Sequence, residues 1–195
     1  MFKPLELFDV VDKIYQNEIY NLVTDIKFPW HFLEDTTYEN QRPDDVNKTT
    51  PAFVNLIYHQ NNENNPYADK FTPLINAIIE KSNMELFSTI RVRMGFLLNT
   101  KYSHVGAPYK HNTPHVDGDI DHWTAIYYVN DCDGQTIVFR ETEKSEKYYP
   151  LHRSDPKQGK VLLFDGRHYH ASTCPKIYNK RIACTINFTG KFKDA

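Results

Sequence analysis

Beyond Asn83 the chain is a succession of short runs rich in β-branched and aromatic residues: Ser88–Leu98, Thr124–Val129, Thr136–Phe139, Lys160–Phe164 and Arg181–Phe188. Asn, Asp, Gly and Pro separate them. That texture is the signature of strands joined by turns. It predicts an all-β C-terminal part, and a β-sandwich or jelly roll is its natural architecture.

The part before Asn83 reads differently. Asp12–Asp25 places Ile14, Ile19, Leu22 and Val23 at helical spacing, with Asp12 positioned to cap it. Tyr67–Ser82 sets Phe71, Leu74, Ile75, Ile78 and Ile79 on one side of a second helix. Between them, Glu34–Thr50 is polar and reads as a long loop, Phe53–His59 as a short strand, and Gln60–Asn65 as a turn. The expected organisation is one domain over 1–195, with helical support in 1–85 and a β core over 86–190.

Side chains alternate between the faces of a strand. Arg181, Ala183, Thr185 and Asn187 therefore share one face, and Ile182, Cys184, Ile186 and Phe188 share the other. Likewise Thr124, Ile126, Tyr128 and Asn130 oppose Ala125, Tyr127 and Val129. Two arrangements suit this pattern. Either the mixed face meets water, or it lines a small-ligand cavity while the apolar face packs on the helices.

Composition narrows the functions. The net charge is −2 with no basic cluster, so nucleic-acid binding has no electrostatic footing. The 3 cysteines, Cys132, Cys174 and Cys184, have no C-x-x-C spacing and indicate neither a disulfide framework nor a cysteine zinc site. No apolar run approaches the roughly 20 residues that span a bilayer, and no secretory pattern is present, so a reducing, cytoplasmic setting is expected. Oligomeric state is left open.

His115-Val116-Asp117 is an H-x-D triplet, a weak signal by itself in a chain with 9 histidines. Its chemical interest is that an imidazole and a carboxylate two residues apart in extended chain point the same way. One distant imidazole added to them covers a triangular face of an octahedron and leaves the remaining positions open, the facial triad of non-haem iron chemistry. His170, closing the run Gly159–His170, is the candidate third ligand, and His168 is its rival by strand parity. Arg181 opens the last strand on its mixed face. If buried there, it needs an anionic partner, and its planar fork suits a carboxylate.

The order H-x-D, then G-x4-F-x5-H, then an arginine at the start of the last strand resembles the 2-oxoglutarate/Fe(II)-dependent dioxygenases, and most nearly their prolyl-4-hydroxylase-like branch. Thr124–Asn130 is similar to that branch's strand after the H-x-D, and Arg181–Phe188 to its last core strand. The resemblance covers Arg91–Phe188. It implies a double-stranded β-helix (jelly roll) buttressed by about two helices.

It also implies a set of roles. His115, Asp117 and His170 would bind Fe(II). Arg181 would pair with the distal carboxylate of 2-oxoglutarate, and Tyr128 would add its hydroxyl there, whereas Tyr127 lies on the opposite face. Asn99, Tyr102 and Thr136 are further candidate cosubstrate contacts. Lys180 is a weaker alternative to Arg181 because its parity is wrong. The implied reaction uses O2 and hydroxylates a peptide residue, prolyl among the options, or a small metabolite, with release of succinate and CO2. Ascorbate is a candidate accessory.

The loop Thr100–Pro114 and the segment Glu141–Pro156, with Tyr148, Tyr149, His152 and Arg153, are the places to look for the prime substrate. His122 and Trp123 are either pocket wall or packing. The alternative function is a non-redox cupin-like metal-binding module or isomerase, against which the single histidine of the first motif argues. Nucleic-acid demethylation on the same fold is disfavoured by charge and by Thr185, Asn187 and Thr189 in the last strand.

Overall fold

The computed structural model describes residues 3–34, 51–61, 65–99 and 111–193. Its element order is β1 (Leu5–Leu7), α1 (Lys13–Thr24), β2 (His31–Leu33), β3 (Ala52–His59), α2 (Ala68–Lys81), β4 (Met84–Leu98), β5 (Trp123–Tyr128), β6 (Thr136–Phe139), β7 (Pro150–Ser154), β8 (Val161–Asp165), β9 (His170–Ser172) and β10 (Lys180–Phe192).

All strand pairs run antiparallel. They form a seven-stranded sheet in the order β1-β8-β5-β10-β4-β3-β2 and a three-stranded sheet in the order β7-β6-β9. β10 sits at the middle of the large sheet, between β4 and β5. The jelly-roll class expected from the strand series is the class observed.

The helices form where their caps and stripes allow. Asp12 accepts from the backbone amide of Tyr15 at 2.8 Å and so satisfies one of the free donors at the start of α1. Ile19 and Val23 of α1 and Phe71, Leu74 and Ile78 of α2 are buried. They join Ile182, Cys184, Ile186 and Phe188 of β10 and Ala125 and Tyr127 of β5 in one core. The apolar strand face thus packs on the helices, each large side chain contributing about 1.5–3 kcal/mol by leaving water. The mixed face looks the other way, toward the small sheet.

Several local expectations are corrected. Ile14 is 73% exposed and Gln16 is buried in its place, its amide donating to Val11 O at 2.9 Å. The stripe of α1 is therefore narrower than the spacing of its apolar residues suggests. Glu141–Pro156 is not loop throughout, since it contains β7. The support in 1–85 is not only helical: β1 pairs with β8, β2 with β3, and β3 with β4. The Glu34–Thr50 loop lies almost wholly outside the described residues. No helix among the described residues is long and apolar enough to cross a membrane.

Candidate metal centre

His115 lies beyond β4 and opposite the first residue of β9. The amide of His115 donates to His170 O at 3.0 Å, and that of His170 donates to His115 O at 2.9 Å. This isolated bridge brings the two imidazoles to 4.5 Å between ring centroids. Asp117, two residues on, turns its carboxylate to the same point. His115 Nε2 is 3.9 Å from Asp117 Oδ1, and His170 Nε2 is 3.6 Å from Oδ2. One ligand atom from each of the three lies within 4.8 Å of the others.

The ring nitrogens are sorted by their partners. His115 Nδ1 contacts Thr113 O at 3.1 Å and His170 Nδ1 contacts His168 O at 3.4 Å. A carbonyl can only accept, so each Nδ1 carries the proton and each Nε2 presents a lone pair inward. Burial, the largest influence on both rings, lowers their pKa, that of His170 to about 3. Burial opposes ionisation of Asp117, but the positive charge of Arg91, with a smaller contribution from Arg93, outweighs it and holds the carboxyl well below its ordinary range. Two neutral imidazoles and one carboxylate, converging from one side, form the donor set that suits a divalent iron.

His168, the rival, is buried with Nδ1 spent on Phe139 O at 2.8 Å, and it is not part of the cluster. Its imidazole ties the turn after β8 to β6.

A single cavity between the two sheets runs from this cluster to Arg181. Arg93, Gly95 and Leu97 of β4, Ile126 of β5, Thr136 of β6, and Ala183 and Thr185 of β10 share its lining with His115, Asp117 and His170. Arg181 is only 6% exposed. Its Nε donates to Gly134 O and its Nη2 to Thr136 Oγ1, both at 2.8 Å. Its guanidinium carbon lies 5.7 Å from the ring centroid of Tyr128. The Tyr128 hydroxyl also donates to Thr136 Oγ1, at 2.9 Å. A Cβ on Gly134 would come within 2.6 Å of Thr173 O and 3.0 Å of Arg181 Cδ, so only glycine lets the arginine seat. Among the described residues no carboxylate pairs with Arg181.

No family model matches the chain, and no curated protein matches it in sequence. Solved structures do match. An oxidoreductase of the 2OG-Fe(II) oxygenase family from Burkholderia pseudomallei superposes with a TM-score of 0.66 at 12% identity, covering 98% of this chain and 86% of that one. A prolyl hydroxylase from Trichoplax adhaerens, in complex with a hypoxia-inducible-factor oxygen degradation domain peptide, gives 0.62 at 16% identity, covering 95% and 82%. A Pseudomonas putida prolyl-4-hydroxylase gives 0.54 at 13% identity, covering 95% and 91%. The chain has the 2-oxoglutarate/Fe(II) oxygenase fold.

Within that fold, His115, Asp117 and His170 come together at one end of the cavity, and Thr136 and Arg181 at the other. Tyr128 reaches the arginine end through Thr136, while Tyr127 is in the helix-packed core. Lys180 faces away, over the Tyr20 ring. Asn99 is elsewhere: its amide donates to Lys176 O and Tyr178 O, and it does not line the cavity. Tyr102, with most of the Thr100–Pro114 loop, lies outside the described residues.

In Glu141–Pro156, Tyr148 packs on Phe139 and Tyr169, His152 contacts Glu6, and Arg153 contacts Gln135. None of the four residues singled out there lines the cavity. Trp123 is packing, its indole donating to Gly190 O, whereas His122 lines a second hollow on the far side of Asp117.

Sequence reading missed Arg91 and Asn187, which grip Asp117, and Arg93 in the cavity wall. The available signal was parity: Arg91-Val92-Arg93-Met94 puts two arginines on one face of a strand whose other face is apolar.

Proposed function

We propose that this chain is a 2-oxoglutarate- and Fe(II)-dependent oxygenase that hydroxylates a peptide residue or a small metabolite, and that residues 1–195 form one such domain. The observation that carries the reading is one cavity with a three-sided donor set at one end and, at the other, a buried arginine with no counter-ion among the described residues. A charge buried without a partner costs several kcal/mol, which an anionic ligand offsets. 2-Oxoglutarate has the right ends, a chelating 2-oxo acid for the metal and a distal carboxylate for Arg181.

His115 Nε2, His170 Nε2 and Asp117 hold the metal from one side. Arg181 takes the distal carboxylate with its guanidinium fork. Thr136 Oγ1 already accepts from both Tyr128 and Arg181, so its own proton is left to donate toward the ligand. Tyr128 stays protonated because burial raises its pKa, and it fixes Thr136 in that sense. Ile126 and Ala183 give the space between an apolar wall. When bound, Fe(II) with 2-oxoglutarate and O2 supplies the oxidising chemistry and yields succinate and CO2. The protein from Trichoplax adhaerens that binds a peptide favours a peptide over a metabolite, with a prolyl residue the first to try. Ascorbate belongs in the assay as an accessory.

The test is succinate formation from Fe(II), ascorbate and 2-oxoglutarate. Slow uncoupled turnover is expected in the wild type, with none in His115→Ala or Asp117→Ala. Equal succinate from all three proteins contradicts the reading.

A further inference from the structure

Both oxygens of the Asp117 carboxylate are already held by protein donors. Arg91 Nη2 donates to Oδ1 at 2.6 Å, and Asn187 Nδ2 donates to Oδ2 at 3.0 Å. Arg91 Nε donates in turn to Asn187 Oδ1 at 3.0 Å, which closes a ring of three side chains. Asn187 Nδ2 also reaches Thr124 Oγ1 at 3.1 Å, anchoring the ring in β5. Arg91 and Asn187 are register partners on β4 and β10, so neither can shift without disturbing the centre of the large sheet. Asp117 is the one carboxylate that pairs with Arg91 among the described residues.

We propose that Arg91 and Asn187 are positioning residues that lock the Asp117 carboxylate against swivelling, so that it offers a metal one oxygen and not two. The proposal rests on the reading of His115, Asp117 and His170 as a metal site. An ionised carboxylate has about four lone-pair sites, and two of these are committed here. Carboxylates bind hard cations through one oxygen or through both. Chelation by both oxygens would take a coordination position that the cosubstrate or dioxygen needs. Swivelling into that mode strains a charge-assisted bond of 2.6 Å and a second bond at the other oxygen, and the closed ring makes the two yield together.

The experiment counts exchangeable water on Mn(II) bound to the full chain, by pulsed electron paramagnetic resonance in D2O, for the wild type, Arg91→Ala, Asn187→Ala and Arg91→Lys. The expected result is one water fewer in Arg91→Ala and in Asn187→Ala, and the wild-type count in Arg91→Lys. Succinate formation should fall about 10- to 100-fold in the two alanine variants while the 2-oxoglutarate requirement moves far less, the size expected for partners of a metal ligand. An unchanged water count in both alanine variants overturns the proposal, and either variant alone decides it if the other fails to fold. Failure of the underlying metal-site reading looks different: the wild type would then bind Mn(II) no more tightly than His115→Ala.

Discussion

His115 and His170 are register partners across an isolated antiparallel bridge, each donating its amide to the other's carbonyl at 3.0 and 2.9 Å. Two candidate metal-ligand positions far apart in sequence are thereby fixed by backbone. The side chains need little reorganisation on binding, and removing either imidazole leaves the other in place.

That arrangement separates the two histidines of the turn after β8. Mn(II) titration should show His170→Ala binding at least about 100-fold more weakly than the wild type, consistent with loss of a ligand. His168→Ala should bind within a few-fold of the wild type and instead lose about 1–3 kcal/mol of stability, since it leaves Phe139 O buried and unpaired. Denaturant unfolding of the metal-free proteins measures the second effect.

Burial keeps the His170 imidazole neutral down to a pH of about 3, whereas in the unfolded chain it takes a proton near 6.5. Between those limits the unfolded state binds more protons than the folded one, so stability is complete above 6.5 and falls as pH drops toward 3. His115 is shifted in the same direction and adds to the slope. Metal-free wild type should lose about 1.4 kcal/mol per pH unit over that window from His170, and His170→Asn should show a slope shallower by that increment. Urea unfolding at stepped pH gives the comparison.

Arg181 is 6% exposed and has no carboxylate partner among the described residues, and the proposed function makes it the anchor for 2-oxoglutarate, held at a cost to the empty fold. Arg181→Met should raise the melting temperature of the ligand-free protein, because an apolar chain of similar length replaces an uncompensated charge. The same variant should lose the stabilisation that 2-oxoglutarate gives the wild type and should need far more of it for turnover. Thermal melts with and without 2-oxoglutarate test both halves.

Among the described residues no helix residue lines the cavity. Leu74 is fully buried in the core that α2 shares with the apolar face of β10. Leu74→Ala should cost about 2–5 kcal/mol of unfolding free energy. Mn(II) affinity per folded molecule should stay within a few-fold, since His115, Asp117, His170, Arg91 and Asn187 are not members of that core.

What could be read from sequence was what local periodicity carries. The period-two pattern of Arg181–Phe188 separated the cavity face from the helix face, and the same parity preferred Arg181 to Lys180 and Tyr128 to Tyr127. The convergence of His115, Asp117 and His170 was legible because the first two stand two residues apart and the third closes a strand-and-turn run. Strands β1 and β2 were not, because three residues are too few to show alternation. β7 was hidden by its composition, Pro-Leu-His-Arg-Ser, which suits a loop as well as an edge strand. The grip of Arg91 and Asn187 on Asp117 was out of reach for another reason. It depends on the β4–β10 register, a tertiary fact that neither strand's own pattern contains.

In the proposed function, a divalent iron held by His115, Asp117 and His170 shares one cavity with 2-oxoglutarate anchored by Arg181. Anaerobic addition of 2-oxoglutarate to the Fe(II)-loaded protein, followed by visible absorption, puts that arrangement to the test. A charge-transfer band that grows with 2-oxoglutarate in the wild type, needs far more ligand in Arg181→Met and is missing in His170→Ala is the predicted result. No band in the wild type, or the same band in all three proteins, would contradict it.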